Sequence, residues 1–132
     1  MERISVLLVD DNPTLLRIVG NFLRGGDGIS IVAATAGGES ALVQAQELRP
    51  QVILLGLGMR TLEGLESISR LRRILPEAGI VVLALLDTNS YRRAAMEAGA
   101  DDFVSKAAIS NDLLPAIHRV RQTRIVRGNQ KI

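Results

Sequence analysis

Two carboxylates and one lysine stand at the ends of predicted strands. Asp10 and Asp11 follow the apolar run 4–9, and Lys106 follows the short run 102–105. Mg²⁺ prefers carboxylate oxygens and water as ligands, and a lysine ammonium supplies a point charge for phosphate oxygens. In a parallel sheet, the carboxyl ends of the strands meet at one edge, where such groups would converge. The three residues therefore indicate a magnesium and phosphoryl site.

A third apolar run, Gln51–Gly56, lies at the centre of the predicted sheet. Pro50 precedes it, and a second glycine, Gly58, follows soon after it. A short continuous apolar run between such residues predicts a strand buried on both faces, as in a parallel sheet covered by helices. The run ends at Gly56, so it contributes no side chain to the edge that carries the two acids.

Strands and helices are predicted to alternate five times along the chain. The predicted strands cover residues 4–9, 29–34, 51–56, 80–85 and 102–105. Asn12 and Pro13 suit the start of the first helix, while Thr61 and Ser110 are predicted caps of the third and fifth helices. Strict alternation favours an α/β fold with a parallel sheet, helices on both faces and right-handed crossovers.

The composition predicts one globular domain. The chain has 132 residues, 47% of them hydrophobic, which is enough for a core and excludes a disordered chain. No apolar run approaches ~20 residues, and the N-terminus predicts no secretory signal. The absence of cysteine is compatible with a reducing compartment, so we expect a cytoplasmic protein. The single histidine, His118, is predicted to be an ordinary surface residue.

Charge is distributed unevenly between the body and the tail. From His118 onward there are five basic residues and no acid, which leaves 11 basic against 14 acidic residues, or a formal charge of −3, for residues 1–117. A basic tail can contact nucleic acid, but the solvated end of a helix or a linker is the more common explanation. Aromatic residues make up only 2% of the chain, which disfavours a stacking platform for single strands.

Three segments together resemble the receiver domain of two-component response regulators. They are Val6–Asn12, Pro50–Met59 and Ala98–Lys106, in the right order and at the right spacing. The resemblance covers residues 3–122 and is closest to receivers that precede a helix-turn-helix output domain. It implies a doubly wound (βα)5 fold with a five-stranded parallel sheet of order 2-1-3-4-5. We accordingly predict a receiver domain over 1–122, with a basic tail or the start of an interdomain linker over 123–132.

The resemblance also assigns roles to individual residues. In that family the paired acids bind Mg²⁺, which corresponds to Asp10 and Asp11. The lysine after the fifth strand contacts the phosphoryl group, which corresponds to Lys106. An aromatic residue in the fifth strand swings inward on activation, which corresponds to Phe103.

The sequence departs from the family at three positions that matter chemically. Gly56 occupies the phosphoacceptor position, Ala84 replaces the usual hydroxyl residue, and Arg60 replaces the usual proline. Glycine cannot form an aspartyl phosphate, and alanine cannot hydrogen-bond to a phosphoryl oxygen. Since all three positions have changed, natural loss of the phosphorylation chemistry is a better explanation than one engineered substitution.

The remaining ligands predict a weakened metal site. They are Asp11, Asp10, water and a backbone carbonyl near Gly58, so we expect weak Mg²⁺ binding and no organic cofactor. Without a phosphoryl group, Lys106 is expected to form a standing ion pair with Asp10 or Asp11.

The resulting hypothesis is a non-enzymatic signalling module that acts through protein–protein contacts. Its partners would be a histidine kinase, another receiver, a second copy of itself, or an output domain beyond residue 132 that binds DNA. The family's contact surface on the fourth helix, fifth strand and fifth helix corresponds here to Tyr91, Arg92, Phe103, Asp112 and Arg119.

Three alternatives remain open. One is a working receiver that is phosphorylated on Asp10 or Asp11. Another is an aspartate-dependent phosphatase, although Asn12 stands where that family has its acid–base aspartate. The last is a flavin-binding module, which the two acids disfavour because they would repel a phosphate.

Overall fold

A computed structural model describes residues 3–26, 28–57, 61–85 and 88–129. Within these ranges, five strands alternate with five α-helices. Their bounds are β1 Ile4–Val9, α1 Pro13–Arg24, β2 Ile29–Thr35, α2 Glu39–Leu48, β3 Val52–Leu57, α3 Thr61–Ile74, β4 Gly79–Ala84, α4 Asn89–Ala98, β5 Asp102–Ser105 and α5 Ile109–Asn129, with a 3-10 turn at Lys106–Ala108.

The strands form one parallel sheet in the order β2-β1-β3-β4-β5. This confirms the predicted fold class and strand order. Val9 pairs with Leu55 across β1 and β3, and Ala84 pairs with Ser105 across β4 and β5. The register thus brings the ends of β1, β3, β4 and β5 to one edge of the sheet, where the predicted site residues stand.

A hydrophobic core lies on each face of the sheet. One core joins alternate strand residues to α2, α3 and α4, and the other joins the remaining strand residues to α1 and α5. The central strand is buried on both sides, since residues from Val52 to Leu55 are at most 4% exposed. Burial on both faces explains why the central strand is a continuous apolar run and does not alternate between apolar and polar residues.

Several local predictions differ from the structure. The central strand β3 covers Val52–Leu57, one residue later than predicted, and α3 begins at Thr61, which was predicted to cap it. β4 ends at Ala84, and Leu85, predicted to be its last residue, is 63% exposed. Ser110 does not cap α5, because that helix already begins at Ile109. Ser105 instead caps the 3-10 turn Lys106–Ala108 that leads into α5, because its Oγ accepts a hydrogen bond from the amide of Ala107 at 3.2 Å.

Helix α5 continues to Asn129, well past the predicted domain boundary at residue 122. Its basic residues are not all solvated, because the side chain of Arg124 is only 13% exposed. The boundary itself stays a prediction. Among the helices of the described ranges, none combines the length and the apolarity needed to cross a membrane.

Candidate functional site

Asp10 is held at the carboxyl end of β1 by local hydrogen bonds. Its amide donates to the carbonyl of Thr35 on β2 at 3.0 Å, and its Oδ1 accepts from the amide of Asn12 at 2.9 Å. The Oδ1 of Asn12 in turn accepts from the amides of Thr14 and Leu15, which caps α1 as predicted. These contacts fix the carboxylate at the carboxyl ends of the strands, where Asp10 is only 3% exposed.

Lys106 forms an ion pair with this buried carboxylate. Its Nζ lies 3.1 Å from Oδ2 of Asp10, and the two side chains are 10% and 4% exposed. This is the standing pair expected from the sequence, with Asp10 and not Asp11 as the partner. Lys106 is one of two lysines in a chain with fourteen arginines. Such a pair is weak evidence for net stability, because desolvation of both charges offsets much of their attraction.

Gly56 lies directly beneath the Asp10 carboxylate. A Cβ placed on Gly56 would overlap Oδ2 of Asp10 and would lie 2.6 Å from its Cγ. Asp10 therefore fills the space that a side chain at position 56 would occupy. The edge keeps one buried carboxylate beside Lys106, but that carboxylate comes from β1 and not from β3.

The described donor atoms fit a magnesium ion poorly. Both oxygens of Asp10 are engaged, one by Lys106 and the other by the amide of Asn12. Asp11 is exposed, and the described residues hold no group of three or more acidic, histidine or cysteine side chains placed to share a metal. The predicted carbonyl of Gly58, like Arg60, lies outside the described residues.

Phe103 is held inward, in the same core cluster as Ala84. Phe103 is 4% exposed and Ala84 is fully buried, and both belong to the same core. The rings of Tyr91 and Phe103 meet edge to face with centroids 5.8 Å apart, and the guanidinium carbon of Arg92 lies 4.9 Å from the Phe103 centroid. These contacts cover Phe103 on two sides.

The predicted contact surface is therefore partly buried. Tyr91 and Phe103 lie beneath it, while Asp112 and Arg119 are exposed. Arg119 donates a hydrogen bond to Asp102. The hydroxyl of Tyr91 is buried with no hydrogen-bond partner among the described residues, and burial raises the pKa of this phenol.

Sequence reasoning missed a second charged cluster at the opposite edge of the sheet. It consists of Arg72 on α3, Asp101 before β5 and Arg124 on α5. One signal was available, because Arg124 continues the inward stripe formed by Ile117 and Val120 at helical spacing. A charged residue on an inward stripe predicts a buried partner.

Comparisons with known proteins agree with this fold. A family model described as the response regulator receiver domain matches residues 6–118. A nitrate/nitrite response regulator protein homolog of Haemophilus influenzae is 30% identical over 125 residues, covering 95% of this chain and 60% of that protein. The response regulator GacA of Pseudomonas protegens is 31% identical over 117 residues, covering 89% and 55%. The chain thus spans somewhat more than half the length of these relatives.

Solved structures show the same fold at lower identity. A LuxR-family two-component response regulator of Aurantimonas sp. superimposes with a TM-score of 0.85 at 24% identity, over 93% of this chain and 88% of that one. The response regulator domain of Thermotoga maritima CheB gives a TM-score of 0.82 at 22% identity, over 92% and 98%. With the match to the family model, this places the chain in the family of response regulator receiver domains of two-component signalling.

Proposed function

We propose that this receiver domain signals without accepting a phosphoryl group and acts through standing protein–protein contacts. The observation that carries the proposal is the position of the Asp10 carboxylate, which fills the space above Gly56 and pairs with Lys106. A nucleophilic carboxylate is absent from the end of β3, and the lysine that would meet a phosphoryl oxygen already has a counter-charge.

The packing around Phe103 supports the same proposal. The family's switch needs a hydroxyl at the end of β4 that draws the aromatic residue inward, and this chain has Ala84 there. Phe103 is nevertheless buried, held by contacts with Tyr91 and Arg92 that depend on no ligand. We infer that the α4–β5–α5 surface above Phe103 has one fixed form. A histidine kinase, another receiver, a second copy of this chain or an output domain would bind that form.

Exposure to a small-molecule phosphodonor tests the proposal. The protein is incubated with acetyl phosphate and Mg²⁺, and its intact mass is measured, with an aspartate-bearing receiver in the same reaction as positive control. We expect no phosphoryl adduct on this chain while the control is modified. An acid-stable, hydroxylamine-sensitive adduct at substantial occupancy would refute phosphate-independent signalling.

Asp10 is itself the best candidate for an alternative acceptor, because it lies beside Lys106. Against this, its carboxylate is nearly inaccessible to a donor and both of its oxygens are already engaged. If an adduct forms, peptide mapping and the D10N and D11N variants distinguish the two carboxylates. Loss of the adduct in D10N alone would establish Asp10 as the acceptor.

The proposal includes weak Mg²⁺ binding, no catalytic turnover and a cytoplasmic location. It also includes a DNA-binding output domain as a partner. Support for that partner comes from a likeness in fold, at 19% identity, to the Salmonella typhimurium RcsB response regulator, in which conformational dynamism for DNA interaction is described. It matches 100% of this chain, and 69% of that chain, with a TM-score of 0.84.

A further inference from the structure

We propose that Asp101, Arg72 and Arg124 form a latch that fixes the C-terminal turns of α5 to the body of the domain. The latch lies at the amino ends of β4 and β5, opposite the edge that carries Asp10 and Lys106. Its function is to hold α5 rigid, so that a segment attached to the C-terminal end of the helix keeps one orientation relative to the domain. The latch is independent of the proposed loss of phosphorylation.

The Asp101 carboxylate is the centre of the latch. Its Oδ2 accepts hydrogen bonds from Nη2 of Arg72 and from the backbone amide of Ile80, both at 2.8 Å. Its Oδ1 accepts from Nε of Arg124 at 3.0 Å and also from Nη2 of the same side chain. Four donors fill the lone-pair positions of one carboxylate, so the geometry of all the partners is fixed together.

Arg72 ties the latch to the loops at this edge. Its Nε and Nη2 donate to the carbonyl of Gly99 at 3.1 and 2.8 Å, and its Nη1 donates to the carbonyls of Pro76 and Ala78. These carbonyls lie in the loops after α3 and α4, where the backbone has no intrahelical partner and needs another donor. Burial, as the largest cause, lowers the pKa of Arg72. The charge of Asp101 opposes this shift, and the charge of Arg124 adds to it.

Arg124 brings α5 into this network. It sits two turns beyond Ile117, and its Nη1 also donates to the carbonyl of Pro76 at 3.2 Å. The side chains of Arg124 and Asp101 are 13% and 11% exposed, so water competes little for their hydrogen bonds. Nearby, Ile125 and Val126 are 38% and 44% exposed, so apolar packing contributes less there than it does at the buried Val120. A polar contact therefore holds a segment that hydrophobic burial holds only partly.

Amide hydrogen exchange of the full chain tests the latch. R124A removes the contact, and R127A is the matched control, because Arg127 is an exposed arginine one turn further along the same helix. We expect R124A to speed exchange of amides 121–127 by about tenfold or more, with amides of β1 unchanged, and R127A to leave both segments protected. R124K should lie between the two, because lysine keeps the charge but not the planar fork.

A substitution at Asp101 tests the latch from the side of the carboxylate. D101N should speed exchange over the same residues, and the double variant R124A/D101N should be no faster than the faster single variant, because both remove one contact. Equal exchange at residues 121–127 in R124A and R127A would overturn the latch. So would additive effects in the double variant.

Discussion

Oδ2 of Asp10 overlaps the position that a Cβ atom would take at residue 56, which is Gly56. The lack of a side chain at position 56 and the burial of Asp10 are thus two sides of one arrangement. Gly56 is a structural requirement of this arrangement, because even a methyl group would compete with the Asp10–Lys106 pair for the same space.

The smallest substitution at position 56 tests this relationship. We expect G56A to lower the free energy of unfolding by about 1–3 kcal/mol, because the new methyl group must displace the Asp10 carboxylate. Urea denaturation measures the change. G20A is the matched control, since a Cβ on Gly20 meets only ordinary contacts at 3.7 Å or more. That substitution, in the middle of α1, should stabilise the chain by about 0.5–1 kcal/mol. A neutral G56A would show that Asp10 moves aside without cost.

An acidic side chain introduced at position 56 should make the stability of the chain depend on a metal ion. We expect G56D to be less stable than the natural chain, because two carboxylates then compete for one lysine within a largely dry site. Saturating Mg²⁺ should raise the melting temperature of G56D by several degrees and leave the natural chain nearly unchanged. Differential scanning calorimetry with and without Mg²⁺ measures both effects. An equal shift in the two proteins would contradict the weak metal site proposed for the natural chain.

Removing the charge of Asp10 should destabilise the fold, because it leaves a buried lysine without a counter-charge. We expect D10N to lower the free energy of unfolding by about 3 kcal/mol, because Lys106 is left charged and nine-tenths buried without a counter-charge. E39Q is the control, because it breaks the exposed Glu39–Arg70 pair at 3.2 Å and should cost about 0–1 kcal/mol. Urea denaturation measures the free energy of unfolding of both variants. A similar loss in D10N and E39Q would show that Lys106 contacts water or another partner in D10N.

The same pair can be followed by amine labelling. Only Lys106, Lys131 and the N-terminus carry amines, so peptide mapping assigns every modification. Lys106 should react more slowly in the natural chain than in D10N, because the ion pair and burial shield its Nζ. Fast labelling of Lys106 in both proteins would rule out a standing pair in solution.

Tyr91 provides a pH-dependent test. It is the only tyrosine, and there is no tryptophan, so alkaline absorbance titration reports this phenol alone. Burial raises its pKa in the folded state above the usual value near ~10. The unfolded chain therefore releases its proton first, and stability falls as the pH rises through the window between the unfolded and folded pKa values.

The variant Y91F should remove that alkaline loss and change stability little at neutral pH. The Tyr91 hydroxyl has no hydrogen-bond partner among the described residues, so its removal breaks no hydrogen bond there. Chemical denaturation of both proteins at neutral and alkaline pH measures the difference. A titration midpoint at or below that of free tyrosine would contradict the burial of this side chain.

The sequence by itself determined the sheet, its order through the family resemblance, and the edge where the site lies. Local patterns suffice for this, because apolar runs, capping residues such as Asn12 and the residues that end each strand act over a few positions. The glycine at position 56 was also visible directly, and the expectation that Lys106 pairs with one of the two acids followed from the sequence. Ser110 failed as a cap because a 3-10 turn capped by Ser105 runs directly into α5, which begins at Ile109.

Only the tertiary structure decided which acid pairs with Lys106 and what fills the space above Gly56. Asp10 and Lys106 are 96 residues apart, and Asp101 lies 29 residues from Arg72 and 23 from Arg124. No local pattern encodes such contacts, because they depend on the side-chain directions that the sheet register and helix packing set together. That packing places the Asp10 carboxylate in the space above Gly56, and it brings Arg124, which helical spacing puts on the inward stripe of α5, into contact with Asp101.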